Sequence, residues 1–411
     1  MVCYKENRHF KSKYQRRKKL TANSGIIVSS ELRSKLCPRD RIKPGVLQYF
    51  DFSEEAFACL KSFFSQKTEG EPRVCRIDEL TKYGSVSHLY DRLYPNAPCV
   101  LRCGDEFVLA YYKAQFDAFR HVAKPVNREQ SVPGNIRPVN IEQAFAHAFM
   151  KCPDIRGIFM NGDAGSGKTL LGLNFGIRGM DEEDLRIFRP TEELGESLGF
   201  RKGYMRDKFG PFSLVITDLF KLVGMKPKDF RVEITEEFLY STDIFSQSGN
   251  GFAVEPSKNG NGYKSKAGNG RNGKNDSQGD AISPEEDNRR RIIIDTINFV
   301  RGRTFDGEFI LVDEAQDITF LDLKTLLTRG SNSTKYVIVG DTSLFQNRNQ
   351  FSGFETMMKA LVGDPLTACI NLPVCERSDF ASLVVEQTRD LDFKGLQDEA
   401  KKKAKKNGKK K

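Results

Sequence analysis

The chain has 411 residues, 38% of them apolar, and a formal charge of +10. That is enough apolar material for two or three packed domains, and it excludes a fully disordered polyelectrolyte. With no run near eighteen apolar residues and a charged first stretch in place of a signal peptide, the sequence reads as a soluble, cytoplasmic protein with no membrane partner. The nine cysteines, scattered with only Cys99 and Cys103 close together, read as reduced thiols rather than a disulfide framework or zinc site.

Residues 1–22 form a basic arm: between residues 5 and 19 lie eight Lys or Arg and one Glu. A second arm, residues 391–411, ends in eight lysines with no acid from Lys401 onward. Residues 5–19 and 401–411 together supply +15, so the rest of the chain sums to −5. Both are read as disordered, and flexible cationic ends of this kind attract polyanions with little sequence choice. A purely solubilising role is the plainer alternative.

Residues 23–129 read as a small mixed α+β module, with strand-like runs at Ile26–Val28, Cys99–Leu101 and Phe107–Tyr112 and helical patches at Glu54–Phe64 and Tyr112–Phe119. Cys99–Arg102 and Glu106–Tyr111, joined around Gly104, spell a hairpin. From residue 130 to 390 strands and helices alternate, which implies a parallel sheet with helices on both faces. Residues 246–290, rich in Gly, Asn, Ser and Lys, interrupt this pattern. They are read as a disordered insertion, too poor in apolar groups to offset the entropy of ordering.

The chemistry concentrates at strand ends. Ile155–Met160 is a short apolar run followed by Gly162, Asp163, Ala164, Gly165, Ser166, Gly167, Lys168 and Thr169, then a helix-like segment. A strand, a Gly-rich loop and a helix N-terminus together aim backbone N–H groups at phosphate. Lys168 would meet the β- and γ-phosphates of ATP and the Thr169 hydroxyl would meet Mg²⁺. The buried run Phe309–Val312 delivers Asp313 and Glu314: Asp313 as the metal partner, Glu314 as the base that activates water. A further strand, Tyr336–Val339, ends at Asp341, either a nucleotide sensor or a turn former. Another, Arg186–Phe188, ends at Arg189. Arg377, just before the helix-like stretch Asp379–Glu386, is either a catalytic group for the γ-phosphate or a solvated Arg at a helix start.

These motifs, in this order, resemble the PhoH family, P-loop ATPases related to superfamily-one helicases. The resemblance rests on Ile136–Gln143, Arg189–Gly203, Val300–Asp317, Lys324–Gly330 and Tyr336–Asp341. It implies a RecA-like P-loop NTPase fold, ATP hydrolysis, an RNA or single-stranded nucleic-acid partner, and Gln143 as the adenine contact. Where the family carries a Gln after its third strand, this chain has Leu344, with Gln346 two residues on. Leu93–Tyr112 is similar to the segment that follows a PIN nuclease domain in one branch, yet no strand-end acid constellation precedes it. Only 70 residues follow Asp341, too few for a second nucleotide-fold domain. Arg377 is therefore expected to act within its own chain or, preferably, across the interface of a homo-oligomer such as a hexameric ring. A slow nucleotide-dependent switch gripping a protein partner, and a small-molecule kinase, are the rival readings.

Overall fold

The fold is that of a computed structural model, and the structure describes residues 28–66, 73–178, 184–190, 220–224, 230–234, 290–295, 297, 300–342 and 352–388. Both basic arms, nearly all of the 246–290 insertion, the segment after Pro190 through Gly203, and Leu344 with Gln346 lie outside the described residues.

The first unit contains β1 (Gln48–Asp51), α1 (Glu54–Ser65), β2 (Val74–Arg76), β3 (Pro98–Cys103), β4 (Glu106–Lys113) and β5 (Ala118–Val122). Its five-stranded sheet runs β1-β3-β4-β5-β2, with β1 parallel to β3 and the other pairs antiparallel. The expected hairpin is β3–β4, closed with Cys103 opposite Glu106 and Gly104 at φ 58 in the turn. The expected helix over Tyr112–Phe119 is not formed. β4 runs on to Lys113, Asp117 turns at φ 45, and Phe119 enters β5. Apolar residues at helical spacing lost here to strand pairing, because Phe119 pairs with Tyr112 and Cys75 on either side.

The second unit contains α2 (Ile141–Lys151), β6 (Gly157–Gly162), α3 (Lys168–Arg178), β7 (Leu185–Phe188), β8 (Phe230–Ile234), β9 (Arg290–Asp295), β10 (Phe309–Val312), α4 (Phe320–Leu327), β11 (Lys335–Gly340), α5 (Gly353–Leu361), β12 (Thr367–Leu372) and α6 (Asp379–Thr388). Its seven strands are all parallel, in the order β12-β6-β11-β10-β7-β9-β8. This is the doubly covered α/β sheet of a P-loop NTPase. β10 shows why its strands read as unbroken apolar runs: Phe309 and Leu311 enter one core while Ile310 and Val312 enter the other. α2 begins cleanly because the Asn140 side chain accepts the Gln143 N–H at 2.9 Å, a cap worth about 1 kcal/mol.

The two units share both cores. Val100, Leu109 and Tyr111 pack in the same cluster as the α2 and α3 side chains, and Phe50 and Leu60 in the same cluster as Phe354 and Ile338. Polar contacts join them along the free side of β12. The Asn96 amide donates to the carbonyls of Pro365 and Thr367 at 2.9 and 2.8 Å, and the Asn371 N–H donates to Gly45 O at 3.0 Å. From Asn371 the path continues inward, since Asn161 donates to the Asn371 side chain at 3.1 Å and accepts the Thr342 N–H at 3.0 Å. No helix among the described residues is long and apolar enough to cross a membrane.

Candidate nucleotide site

The residues that end β7, β10 and β11, namely Arg189, Asp313, Glu314 and Asp341, converge on one cavity of about 660 Å³, where open α/β sheets bind ligands. Its floor is the loop between β6 and α3. Gly165 and Gly167 stand at φ 82 and 86, so the loop coils with its N–H groups turned inward. A side chain at Gly165 would also strike Cys375 Sγ at 2.7 Å, so the backbone there is pressed against the segment before α6.

Lys168, first residue of α3, donates from Nζ to the Gly162 and Asp163 carbonyls at 2.5 and 2.9 Å. Burial lowers its pKa, and the negative charges of Asp341, Glu314, Asp313 and Asp163 oppose that shift. Thr169 donates its hydroxyl to Asp313 Oδ1 at 2.7 Å. Asp313 is buried, and its carboxyl is pushed upward first by burial, then by the adjacent Glu314 charge. Arg189, the Thr169 hydroxyl and the Glu314 N–H pull the other way.

These groups fit a nucleotide with a divalent cation. The Ser166 Oγ is buried in the loop without a hydrogen-bond partner, and Asp313 and Glu314 stand side by side next to the Thr169 hydroxyl. Among the described residues no cluster of three or more His, Cys, Asp or Glu could hold a metal by itself. The Thr169 hydroxyl and the Asp313 carboxylate are oxygen donors of the kind taken by Mg²⁺, which completes its shell with phosphate and water.

Glu314 differs from its neighbour. Its side chain is 43% exposed and its backbone is left-handed at φ 51, a conformation that costs a non-glycine residue about 1 kcal/mol or more. Its Oε1 accepts from Arg189 at 3.4 Å and its Oε2 from Gln316 at 2.7 Å. Arg189 also lies 3.7 Å from Asp313 Oδ2. Gln316 is buried, and its Oε1 accepts the Asp341 N–H at 3.0 Å, so one amide ties the acid pair on β10 to the end of β11. Neither Arg189 nor Gln316 stood among the expected site residues. The available signals were the position of Arg189 at a strand end and the inclusion of Gln316 in the DEAQD run.

Gln143 also lines the cavity, with both ends of its amide engaged. Oε1 accepts the Val139 N–H at 2.9 Å and Nε2 donates to Ser166 O at 3.1 Å, so the residue braces the phosphate loop. One donor and one lone pair remain for a base edge. Arg377 lines the cavity of its own chain. The neighbouring Glu376 N–H donates to Gly165 O at 2.9 Å, and Arg128 donates to the Glu376 and Arg377 carbonyls.

Residues 135–386 match the family described as PhoH-like protein. The chain is 27% identical over 260 residues to Protein PhoH2 of Bacillus subtilis, covering 61% of this chain and 47% of that protein. It is 26% identical over 212 residues to a PhoH-like protein of Synechocystis, covering 50% and 48%. With Protein PhoH of Escherichia coli it shares 21% over 233 residues, covering 54% and 51%. The chain spans about half the length of the curated relatives it matches.

Proposed function

Because the chain belongs to the PhoH family, with a matched span that takes in the phosphate loop and both strand-end acids, we propose that it is an Mg²⁺-dependent ATPase acting with RNA or single-stranded nucleic acid. The observation that carries this reading is the convergence, in one cavity, of Lys168, the Thr169–Asp313 pair and the exposed carboxylate of Glu314. Lys168 and the loop N–H groups hold the phosphates. Thr169 and Asp313 hold the cation, which when bound neutralises charge on the phosphates. Glu314 takes the proton of the attacking water, Asp341 reports on the nucleotide through its backbone link to Gln316, and Arg377 neutralises charge on the γ-phosphate of its own chain's ATP. Nucleic-acid coupling is supported by the cationic residues 5–19 and 401–411. A homo-oligomer is supported by the exposed Phe380, Leu383 and Val384 on the helix after Arg377.

Steady-state ATPase measured alone and with RNA, single-stranded DNA and duplex tests the reading. Stimulation by one single-stranded polymer, declining steeply with salt, is the expected result; ATP turnover indifferent to all three removes the nucleic-acid half. One observation favours a second reading, a slow nucleotide switch with a protein partner: Glu314 is held by Arg189 and Gln316 rather than left free. A low basal rate that no polymer raises would select the switch.

A further inference from the structure

A second cavity, of about 630 Å³, opens on the other side of the segment that walls the nucleotide site; Ile136 and Arg137 line both. It lies between β5, the linker to α2, and one face each of α2 and α3. Ala144, His147, Ala148 and Lys151 recur at three- and four-residue spacing along α2, and Asn174, Phe175 and Arg178 do the same on α3.

Among the described residues five cations line it, Arg120, Lys124, Arg137, Lys151 and Arg178, and no carboxylate does. Their recorded contacts are of other kinds. Arg120 reaches the Cys152 sulfur at 3.4 Å, Lys124 lies over the Phe107 ring at 4.2 Å, Arg137 bonds the Asn135 side chain and Arg178 the Val223 carbonyl. None has an ion-pair partner among the described residues. Lys35, Lys61 and Lys82 of the first unit differ, for each meets a carboxylate. Like charges around one concave surface repel one another and raise a positive potential there, even with Lys124, Arg137, Lys151 and Arg178 exposed to solvent. The fold gains nothing from such a cluster, whereas a ligand carrying several negative charges relieves it.

We propose that this cleft is a second, phosphate-binding site, separate from the nucleotide cavity, that takes a ligand bearing several phosphates in a row. Five cations exceed what a single phosphate can neutralise, and the volume is that of a small-ligand pocket. Two sources present this chemistry: a short stretch of single-stranded polynucleotide backbone and a free oligophosphate. In the polynucleotide arm the assignment rests on the nucleic-acid reading above, whereas the oligophosphate arm is independent of it.

The test uses the full chain with ADP filling the nucleotide cavity. Binding of inorganic tripolyphosphate and of a single-stranded RNA of roughly twelve nucleotides is measured for the wild type, for Lys124→Glu/Lys151→Glu, and for Lys82→Glu/Lys359→Glu. The last pair changes net charge equally at distant exposed sites. Both probes are also tested for protection of Lys124 and Lys151 against amine acylation, read by mass spectrometry. The expected result is at least a tenfold loss of affinity for one probe in the first variant only, several-fold protection of both lysines by that probe, and ADP-free basal ATPase within twofold of wild type. Loss for RNA alone assigns the cleft to a strand; loss for tripolyphosphate assigns it to a free oligophosphate. Equal losses in both variants, or no loss and no protection, overturn the site. If RNA still stimulates ATP hydrolysis in the first variant and its affinity for both RNA and tripolyphosphate is unchanged, the proposed function stands and this inference fails alone.

Discussion

The mixed sheet and the C-terminal edge of the parallel sheet both carry buried polar groups, but they treat them in opposite ways. In the first unit two of these groups close on partners, while the buried Tyr111 hydroxyl on β4 has none. Asp117 accepts from Tyr90 and Tyr112 at 2.8 and 2.7 Å, and Lys113, fully buried, meets Asp154 at 3.1 Å. At the parallel sheet's edge Lys168 rests on backbone carbonyls, two acids stand side by side, and Glu314 spends strain to face solvent. Closed sets hold a fold together; sets that converge on an open cavity present their groups to a ligand.

If this contrast is right, substitutions at the edge should change turnover without stability, and substitutions in the mixed sheet should do the reverse. The largest effect is expected at the edge. Lys168→Ala should lose turnover and weaken ATP binding, and Glu314→Gln should keep ATP while turnover drops about 10²- to 10⁴-fold. Equilibrium ATP binding beside single-turnover hydrolysis reads both, and wild-type hydrolysis by Glu314→Gln would remove the base assignment.

In the mixed sheet, Asp117→Ala strands two hydroxyls and places Ala at φ 45. A loss of about 2–4 kcal/mol in urea unfolding is expected, with ATP affinity unchanged. Asp117→Asn, which tolerates that backbone and keeps an acceptor, should recover most of it. A parallel fall in turnover by the folded Ala variant would dissolve the distinction between the two regions.

A smaller, pH-dependent effect should appear at the basic cleft. Burial first, and Lys151 second, push His147 down from 6.5 to about 4. The unfolded chain therefore takes up a proton at this site between those values while the folded chain refuses it. The stability contribution is complete above pH 6.5 and is lost as pH falls toward 4, by about 3 kcal/mol at most. His147→Gln should flatten that limb of the stability curve. A multiply charged phosphate ligand should flatten it too, by making the imidazolium tolerable.

The smallest expected effect belongs to Gln316→Ala. Its amide positions Glu314 without touching substrate, so a fall in kcat of about tenfold at unchanged KM is expected. A change in KM alone would mean that the amide shapes the nucleotide pocket rather than orienting the base.

Much of the edge was legible in the sequence because the phosphate loop and the acid pair follow short apolar runs that only buried parallel strands use. The runs read at 309–312 and 336–339 are the observed β10 and the middle of β11. The mixed sheet was less legible. β1, β2 and β5 are short, and β5 shares its apolar residues with a spacing that also fits a helix. β9 was hidden for another reason. Its first residue, Arg290, read as the end of the polar insertion, while its terminal Asp295 is matched by Arg186 at 2.8 Å from a strand more than a hundred residues away. Gln316 was in plain view, but its role depends on the end of β11 lying beside it, which no local pattern encodes.

The contacts along β12 carry one more consequence. An outermost strand offers its backbone to any other extended chain, and natural sheets guard that side. Here the guard is supplied from the first unit, where Asn96 occupies the Pro365 and Thr367 carbonyls and Gly45 takes the Asn371 N–H. Excising residues 28–129 would therefore do more than remove a module. It would leave an apolar strand open to strand addition, and the isolated ATPase half should self-associate into β-rich aggregates that a Pro or Lys at the middle of β12 would suppress.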